Sequence, residues 1–167
     1  MTGARTVLDG GTAATEALLR TAAQAENTRG LWDNIGASLA ESTRMRFERG
    51  ERPDGGVWPQ SIRARLENGK TLIDSARLMQ SITWQADDRG VEVGTNVLYA
   101  AAHQLGATIR PVSKQALRFR IGDHWITAKE VTIPARPFLG VDHDDEAEIE
   151  ALTGEWLLGP QGANDVN

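Results

Sequence analysis

The feature that most constrains the fold lies near the C-terminus, where residues 133–140 read Ile-Pro-Ala-Arg-Pro-Phe-Leu-Gly. Pro134 and Pro137 fix their own φ angles and disfavour helical backbone at the residues before them. We therefore expect a stiff, extended connector. The acidic residues 142–148 follow, and their side-chain oxygens can cap a helix and place negative charge at the positive end of its dipole. The last helix is expected to begin there.

Composition excludes several classes of protein. The chain has no cysteine, which excludes disulfides and thiol chemistry and suits a reducing cytoplasm. It has no apolar run of the roughly eighteen residues that a membrane span needs and no signal-peptide pattern, so we expect no membrane association. Its 167 residues fit one domain. We assign residues 1–159 to that domain, residues 1–30 within it to a peripheral strand–helix arm, and residues 160–167 to a flexible tail.

Charge is distributed unevenly along the chain. Residues 140–167 carry eight acids and no Lys or Arg, a net charge of −8, whereas the remaining residues carry +3, which together give the overall −5. A nucleic-acid-binding domain normally shows a basic excess over its whole surface. Ends of opposite sign instead suit head-to-tail packing between copies of the chain.

Hydrophobic periodicity and turn residues predict an α+β fold. N-terminal helices and a C-terminal helix are expected to pack on one face of an antiparallel sheet of about four or five strands. Expected elements are a strand at 5–9, helices at 12–26 and 31–48, an irregular loop at 51–70, a hairpin of 81–86 with 91–95, a helix at 99–105, a hairpin of 117–121 with 124–127, and a strand at 131–133. The last helix should bury Ile149, Leu152 and Trp156 and end at Gly159-Pro160.

The acidic run invites a comparison with a calcium-binding loop. Asp142, Asp144 and Glu146 occupy alternating positions like the first ligands of such a loop. The sixth position should be glycine and is Ala147, and the twelfth should be glutamate and is Thr153. We therefore expect no metal site, and helix capping already accounts for these acids.

The usual catalytic motifs are absent from the sequence, including a nucleophile elbow, a zinc-binding His-Glu-x-x-His and phosphate-binding glycine loops. His103 lies among alanines and is expected to be a packed, hydrogen-bonded residue instead of a general base. A hydrolase built around His103 is the least supported hypothesis. We expect no catalytic residue and no cofactor.

A basic series in the middle of the chain could contact phosphates. Six acids in the same window offset most of its charge, which favours a solvated, ion-paired surface. A small nucleic-acid-binding or regulatory protein remains the alternative function. The series consists of Arg44, Arg46, Arg49, Arg52, Arg63, Arg65, Lys70 and Arg77. Trp58 lies in a Gly/Pro loop, where an exposed aromatic ring would anchor an interface.

Several segments together resemble the phage virion morphogenesis family, the tail completion and neck proteins of Mu-like and P2-like tailed phages. The resemblance extends in order from about residue 31 to residue 156. It rests on Leu-Trp-Asp-Asn-Ile-Gly at 31–36, Phe47, Pro-Asp-Gly-Gly-Val-Trp-Pro at 53–59, Leu-Ile-Asp-Ser-Ala-Arg-Leu at 72–78 before Ser81-Ile82, Val-Gly-Thr-Asn at 93–96, Tyr-Ala-Ala-Ala-His-Gln-Leu-Gly at 99–106, and the proline connector. The chain departs from the family pattern at Ala76, where glycine is usual, and at Leu105, where phenylalanine is usual.

The resemblance implies a structural protein of the head–tail junction, with a fold similar to tail-terminator and neck proteins and without catalytic residues. It implies a homo-oligomeric ring of six or twelve copies that contacts neck, connector or tail-tube proteins. Genome DNA is expected to pass through the lumen without specific binding. The protein is expected in the virion neck or tail after assembly in the host cytoplasm. Candidate interface residues are Trp58, Arg63, Arg65, Arg77, Arg136, Phe138, Asp142, Asp144, Asp145 and Glu148.

Overall fold

The structure, a computed structural model, describes residues 28–158 and Ala22. The predicted strand at 5–9, the helix at 12–26 apart from helical Ala22, and the stop at Gly159-Pro160 lie outside the described residues. The rest is α+β, as predicted. Its helices are α1 (Arg29–Arg49), α2 (Ile62–Leu66), α3 (Arg77–Gln80), α4 (Ala100–Leu105) and α5 (His143–Leu158), and its strands are β1 (Thr83–Ala86), β2 (Val91–Gly94), β3 (Ala107–Ile109), β4 (Leu117–Ile121), β5 (His124–Ala128) and β6 (Val131–Ile133).

The long helix α1 organises the fold and contacts β1, β2, α3 and α5. The apolar periodicity predicted it almost to the residue, and Leu31 and Ile35 are buried. Gly36 lets the helix approach the first hairpin closely, since a Cβ at that position would lie 2.5 Å from the indole of Trp84. The helix ends at Gly50, whose φ of 74° gives the left-handed cap and whose N–H donates to Arg46 O.

The expectation of one sheet is wrong. Within residues 28–158, the strands form three separate two-stranded antiparallel sheets, from β1 with β2, β3 with β6, and β4 with β5. Both predicted hairpins and the strand at 131–133 are confirmed, but β3 was not predicted. Pro111 and Pro134 lie beyond the ends of β3 and β6 and cannot donate ladder hydrogen bonds, which limits the length of this pair.

The predicted irregular loop at 51–70 contains a helix. The hydroxyl of Ser61 accepts a hydrogen bond from Ala64 N (3.1 Å) and caps α2. Before it, Glu51 and Val57 form an isolated antiparallel bridge around the tight turn at residues 52–56. Local capping by Ser61 therefore outweighed the turn-forming composition from which the loop was predicted.

The centre of the core is aromatic. The ring of Phe47 lies 5.5 Å from Trp58 in an edge-to-face arrangement and 5.0 Å from Phe138. All three side chains are buried, and Trp58 is only 4% exposed. The expectation that Trp58 is exposed in its loop is wrong, because its indole N–H donates to Pro137 O (2.8 Å) and its ring packs in the core.

The connector between β6 and α5 contains neither helix nor strand, in agreement with its two prolines. Gln104 of α4 holds it by donating to Leu139 O (2.9 Å) and accepting from the amides of Phe138 and Leu139. Arg136 N donates to His103 O (2.7 Å). Helix α4, predicted at 99–105, thus serves as the clamp for this segment.

Helix α5 begins within the acidic run, as predicted. Asp142 and Asp145 cap it reciprocally, since each carboxylate accepts the backbone N–H of the other, at 2.9 and 3.0 Å. Ile149, Leu152 and Trp156, which were expected to be buried, are only half-buried. Within the described part of the chain, no helix has both the length and the apolar character needed to cross a membrane.

Candidate functional site

Two buried arginines mark two different surfaces of the protein. Arg46, at the end of α1, is 4% exposed, and Arg136, in the connector, is 5% exposed. Buried charges are normally paired, so the surroundings of each guanidinium indicate its role.

The charge of Arg46 is neutralised within the chain. Its guanidinium donates to Asp142 Oδ2 (2.8 Å), to Asp145 Oδ2 and to Gly140 O (2.8 Å). Burial alone would raise the pKa of Asp142, but the hydrogen bond and positive charge of Arg46, together with the amides at the start of α5, lower it below its ordinary value. This cluster joins α1, the connector and α5, and we call it the Arg46 cluster.

The acids of α5 therefore divide into two groups. Asp142 and Asp145 belong to the Arg46 cluster, and Asp145 is 5% exposed. Asp144 and Glu148 are exposed and line an open groove of about 790 Å³ between α5 and α1. Neither forms an ion pair with any described residue, although Arg49 lines the same groove.

Arg136 lines a second cavity, of about 280 Å³, which we call the basic cavity. Segments far apart in sequence form its wall, and three of them carried the family resemblance: residues 72–78, residues 99–106 and the connector. Its lining residues are Ser61, Arg63, Leu72, Asp74, Ser75, Ala76, Arg77, Leu78, Tyr99, His103 and Arg136.

The guanidinium of Arg136 lacks an acidic partner among the described residues. Its Nε donates to Pro59 O (2.7 Å), which is a neutral acceptor. Burial lowers the pKa of Arg136 from its ordinary value. Because the ordinary pKa of an arginine is very high, the side chain stays charged. The basic cavity therefore contains a buried positive charge that no described carboxylate neutralises.

His103 lies beside Arg136 in the cavity wall. Its Nδ1 is buried and makes no hydrogen bond to the described residues, so the expectation of a hydrogen-bonded histidine is wrong for this atom. Burial, followed by the positive charge of Arg136, lowers the pKa of His103. The imidazole is accordingly neutral at pH 7 and could donate or accept one hydrogen bond in the cavity.

The remaining cations of the cavity differ in their pairing. Arg63 donates to Lys70 O (2.8 Å) and Ile73 O (2.7 Å) and lies 3.7 Å from Asp74, so it is occupied within the chain. Arg77 is exposed and forms no ion pair with a described residue. Arg77 and Arg136 are thus the two unneutralised cations of the basic cavity.

The backbone of this wall is strained. Leu72 and Ala76 have φ angles of 63° and 59°, a region that side-chain-bearing residues rarely adopt. Ala76 stands where the family pattern has glycine, which adopts this conformation without strain. Such strain is found preferentially at functional sites.

The structure separates the ten candidate interface residues into five places. Arg63, Arg77 and Arg136 meet at the basic cavity, and Asp144 and Glu148 line the groove of α5. Asp142 and Asp145 belong to the Arg46 cluster, while Arg65 is exposed on α2. Trp58 and Phe138 are in the core. In this conformation of the subunit, Trp58, Phe138, Asp145 and Arg136 are each 5% exposed or less, and of these four Arg136 is the one that lines the basic cavity.

The sequence reasoning missed the cavity residues Ser61, Asp74, Ser75 and Tyr99 as candidates and treated His103 only as a packing residue. A usable signal was present, since His103 and Gln104 are adjacent polar residues at the end of an alanine-rich helix.

Within residues 28–158, no group of three His, Asp or Glu side chains is placed to hold a metal ion. The site offers unneutralised guanidinium groups, which bind anions.

The fold and these surfaces define an α+β protein with a basic cavity and a separate acidic helix. A sequence profile of the phage virion morphogenesis family matches residues 9–158. The chain belongs to this family, and the resemblance predicted from its segments is confirmed.

Two relatives are consistent with that membership. The chain is 34% identical over 135 residues to the "Mu-like prophage FluMu G protein 2" of Haemophilus influenzae, covering 81% of this chain and 82% of the relative. It is 30% identical over 124 residues to the "Putative capsid assembly protein G" of Escherichia phage Mu, covering 69% of this chain and 70% of the relative. No solved structure is significantly similar to the chain.

Proposed function

We propose that the protein is a structural component of the phage head–tail junction. It assembles as a homo-oligomeric ring that joins or terminates the tail, and it acts by binding without catalysis. It occupies the virion neck or tail after assembly in the host cytoplasm, next to neck, connector or tail-tube proteins. Genome DNA passes through the ring without being specifically bound.

Family membership is the observation that carries this proposal, because the family is one of phage morphogenesis. One relative is named as a putative capsid assembly protein, which suits a role in building the particle. A ring requires two different surfaces on each subunit that complement each other. The basic cavity and the acidic helix α5 are a pair of this kind.

The alternative of a nucleic-acid-binding protein has less support. Of the eight basic residues between 44 and 77, five form ion pairs with acids of the same chain: Arg44, Arg46, Arg52, Arg63 and Lys70. Cations neutralised in this way contribute little to phosphate binding. Affinity for a short DNA duplex that fell steeply with salt would favour the alternative.

Electron microscopy of particles assembled without the protein tests the proposal. We expect full heads and complete tails that remain separate, or tails of abnormal length, with infectivity restored by the protein supplied from a second gene copy. A matched strain that supplies an empty vector controls for the complementation. Normal infectious particles in the absence of the protein would contradict a role at the junction.

A further inference from the structure

The basic cavity contains a positive charge that the described part of the subunit does not neutralise. Arg136 is 95% buried, and the one side-chain hydrogen bond it forms with described residues is to the neutral Pro59 O. Arg77, at the same cavity, is also without an ion-pair partner among these residues. A buried guanidinium without a counter-ion is costly, so an anion that enters the cavity recovers part of that cost.

The shape and chemistry of the cavity favour a carboxylate on a side chain. Its volume of about 280 Å³ is enough for the end of a carboxylate side chain. Two guanidinium groups can donate to both oxygens of one carboxylate. The exposed Ser75 provides a further hydrogen-bonding group in the wall.

The same chain carries a complementary surface on α5. Asp144, Glu148 and Glu155 recur at intervals of four and seven residues, so they lie on one face of the helix. All three are exposed, and none forms an ion pair with a described residue. Helix α5 contains no Lys or Arg that could neutralise them.

We propose that the basic cavity of one subunit binds an acidic side chain of α5, Asp144 or Glu148, from a second copy of the chain. The contact is head-to-tail, because the cavity and the acidic face are different surfaces of each subunit. It rests on the proposed ring and identifies the residues that meet in it. It also narrows the head-to-tail packing expected from the uneven charge, since five of the eight basic residues between 44 and 77 are paired within the chain.

Charge reversal on each side of the contact tests this proposal in the full-length protein. The two substitutions are Arg77→Glu and Glu148→Lys. Both positions are exposed, so the variants should keep the wild-type circular dichroism spectrum and melting temperature. Each variant alone should self-associate at least about tenfold more weakly than the wild type in sedimentation velocity. A mixture of the two variants should recover association, because each reversed surface then meets a surface of opposite sign.

Matched controls separate this contact from general electrostatics. Arg65→Glu reverses an exposed arginine of α2 that does not line the cavity, and Glu150→Lys reverses an acid on a different face of α5; both should associate like the wild type. If the Arg77→Glu and Glu148→Lys variants self-associate as tightly as the wild type, or if their mixture does not recover self-association, the proposed contact is overturned but the ring is not. A wild-type chain that stays monomeric at high concentration would overturn both. Loss of infectivity by the Arg77→Glu variant without loss of self-association would show that a different protein occupies the cavity and would overturn the second copy as its occupant.

Discussion

Arg46 and Arg136 are almost equally buried, yet they lie in opposite electrostatic surroundings. Arg46 donates hydrogen bonds to two carboxylates and to backbone carbonyl oxygens, and together these bonds tie α1 to α5. Among the described residues, the side chain of Arg136 is bound by one carbonyl oxygen, and it lies at the edge of a cavity. Burial of a charged side chain therefore does not by itself indicate a binding site. A buried charge that its own subunit leaves unneutralised does indicate one.

Removal of the Arg46 charge should have the largest effect on the folded subunit. Arg46→Met leaves Asp145 and Asp142 without their cation, and breaking a buried pair in this way costs about 3–5 kcal/mol. We expect a loss of this size in the free energy of unfolding, measured by chemical denaturation. Arg49→Met, one turn further along α1 and exposed, is the control and should change stability by less than about 0.5 kcal/mol. A loss below about 1 kcal/mol for Arg46→Met would mean that the cluster does not hold α5.

The same change at Arg136 should be much milder. Arg136→Met loses one hydrogen bond, worth about 1 kcal/mol, but also removes a buried charge that no described carboxylate neutralises. We expect the free energy of unfolding to change by less than about 1.5 kcal/mol, while self-association weakens. Equal destabilisation by Arg46→Met and Arg136→Met in the same denaturation series would erase the distinction between the two arginines.

Acid pH should affect the two arginine sites in different ranges. The pKa of His103, beside Arg136, is lowered from 6.5, so the unfolded chain binds this proton more readily and stability falls as pH drops below about 6.5. The pKa of Asp142, beside Arg46, is lowered from 3.8, so its stabilisation persists above that value and is lost as pH falls through the folded pKa.

Unfolding free energies measured from pH 8 to pH 3 will separate these two ranges. His103→Gln should remove the part of the loss near pH 6, and Arg46→Met should reduce the part below pH 4. His124→Gln, on the exposed β4–β5 hairpin, is the matched control and should keep the loss near pH 6 that is assigned to His103. A wild-type profile that is flat between pH 7 and pH 5 would contradict a lowered pKa of His103 in the folded protein.

The smallest expected effect concerns strain beside Arg136. Two of the three described non-glycine residues with positive φ, Leu72 and Ala76, line the basic cavity, and none of the three lies in the groove beside the Arg46 cluster. Ala76→Gly relieves a penalty of roughly 1–2 kcal/mol but gives the unfolded chain more freedom, so we expect a stabilisation of at most about 1 kcal/mol.

Ala101→Gly, at an exposed position of α4, is the counterpart and should destabilise by roughly 0.5–1 kcal/mol because glycine is unfavourable within a helix. Thermal unfolding of both variants measures the difference. If Ala76→Gly and Ala101→Gly both destabilise the protein, the backbone at Ala76 is not strained.

The parts of the fold that follow local rules were predicted from the sequence. Helix α1 follows from apolar residues at helical spacing, the β4–β5 hairpin from strict alternation around Gly122-Asp123, and the start of α5 from its capping acids. The arrangement of the strands in three sheets did not follow, since pairing between distant strands such as β3 and β6 leaves no local signal. Ser61 as the cap of α2 was overlooked among stronger turn signals.

The candidate site was predicted only as a set of residues. Arg63, Arg77 and Arg136 were named, but their meeting in one cavity depends on Gln104 and His103, which hold the connector against α4. The acids were also named as one group, although Asp145 is committed to Arg46 and Glu148 is exposed. Nothing in their spacing distinguishes them, because the partner of Asp145 lies 99 positions away in the sequence.

The sequence by itself determined the rigid connector, the capped acidic helix, the uneven charge and the resemblance that led to the family. These depend on proline geometry, on helix dipoles and on residue order, all of which act locally or can be counted. Only the tertiary structure decided which charges are neutralised. That distinction depends on distances between side chains far apart in the chain, and the cost of an unmatched charge arises only when folding removes it from water.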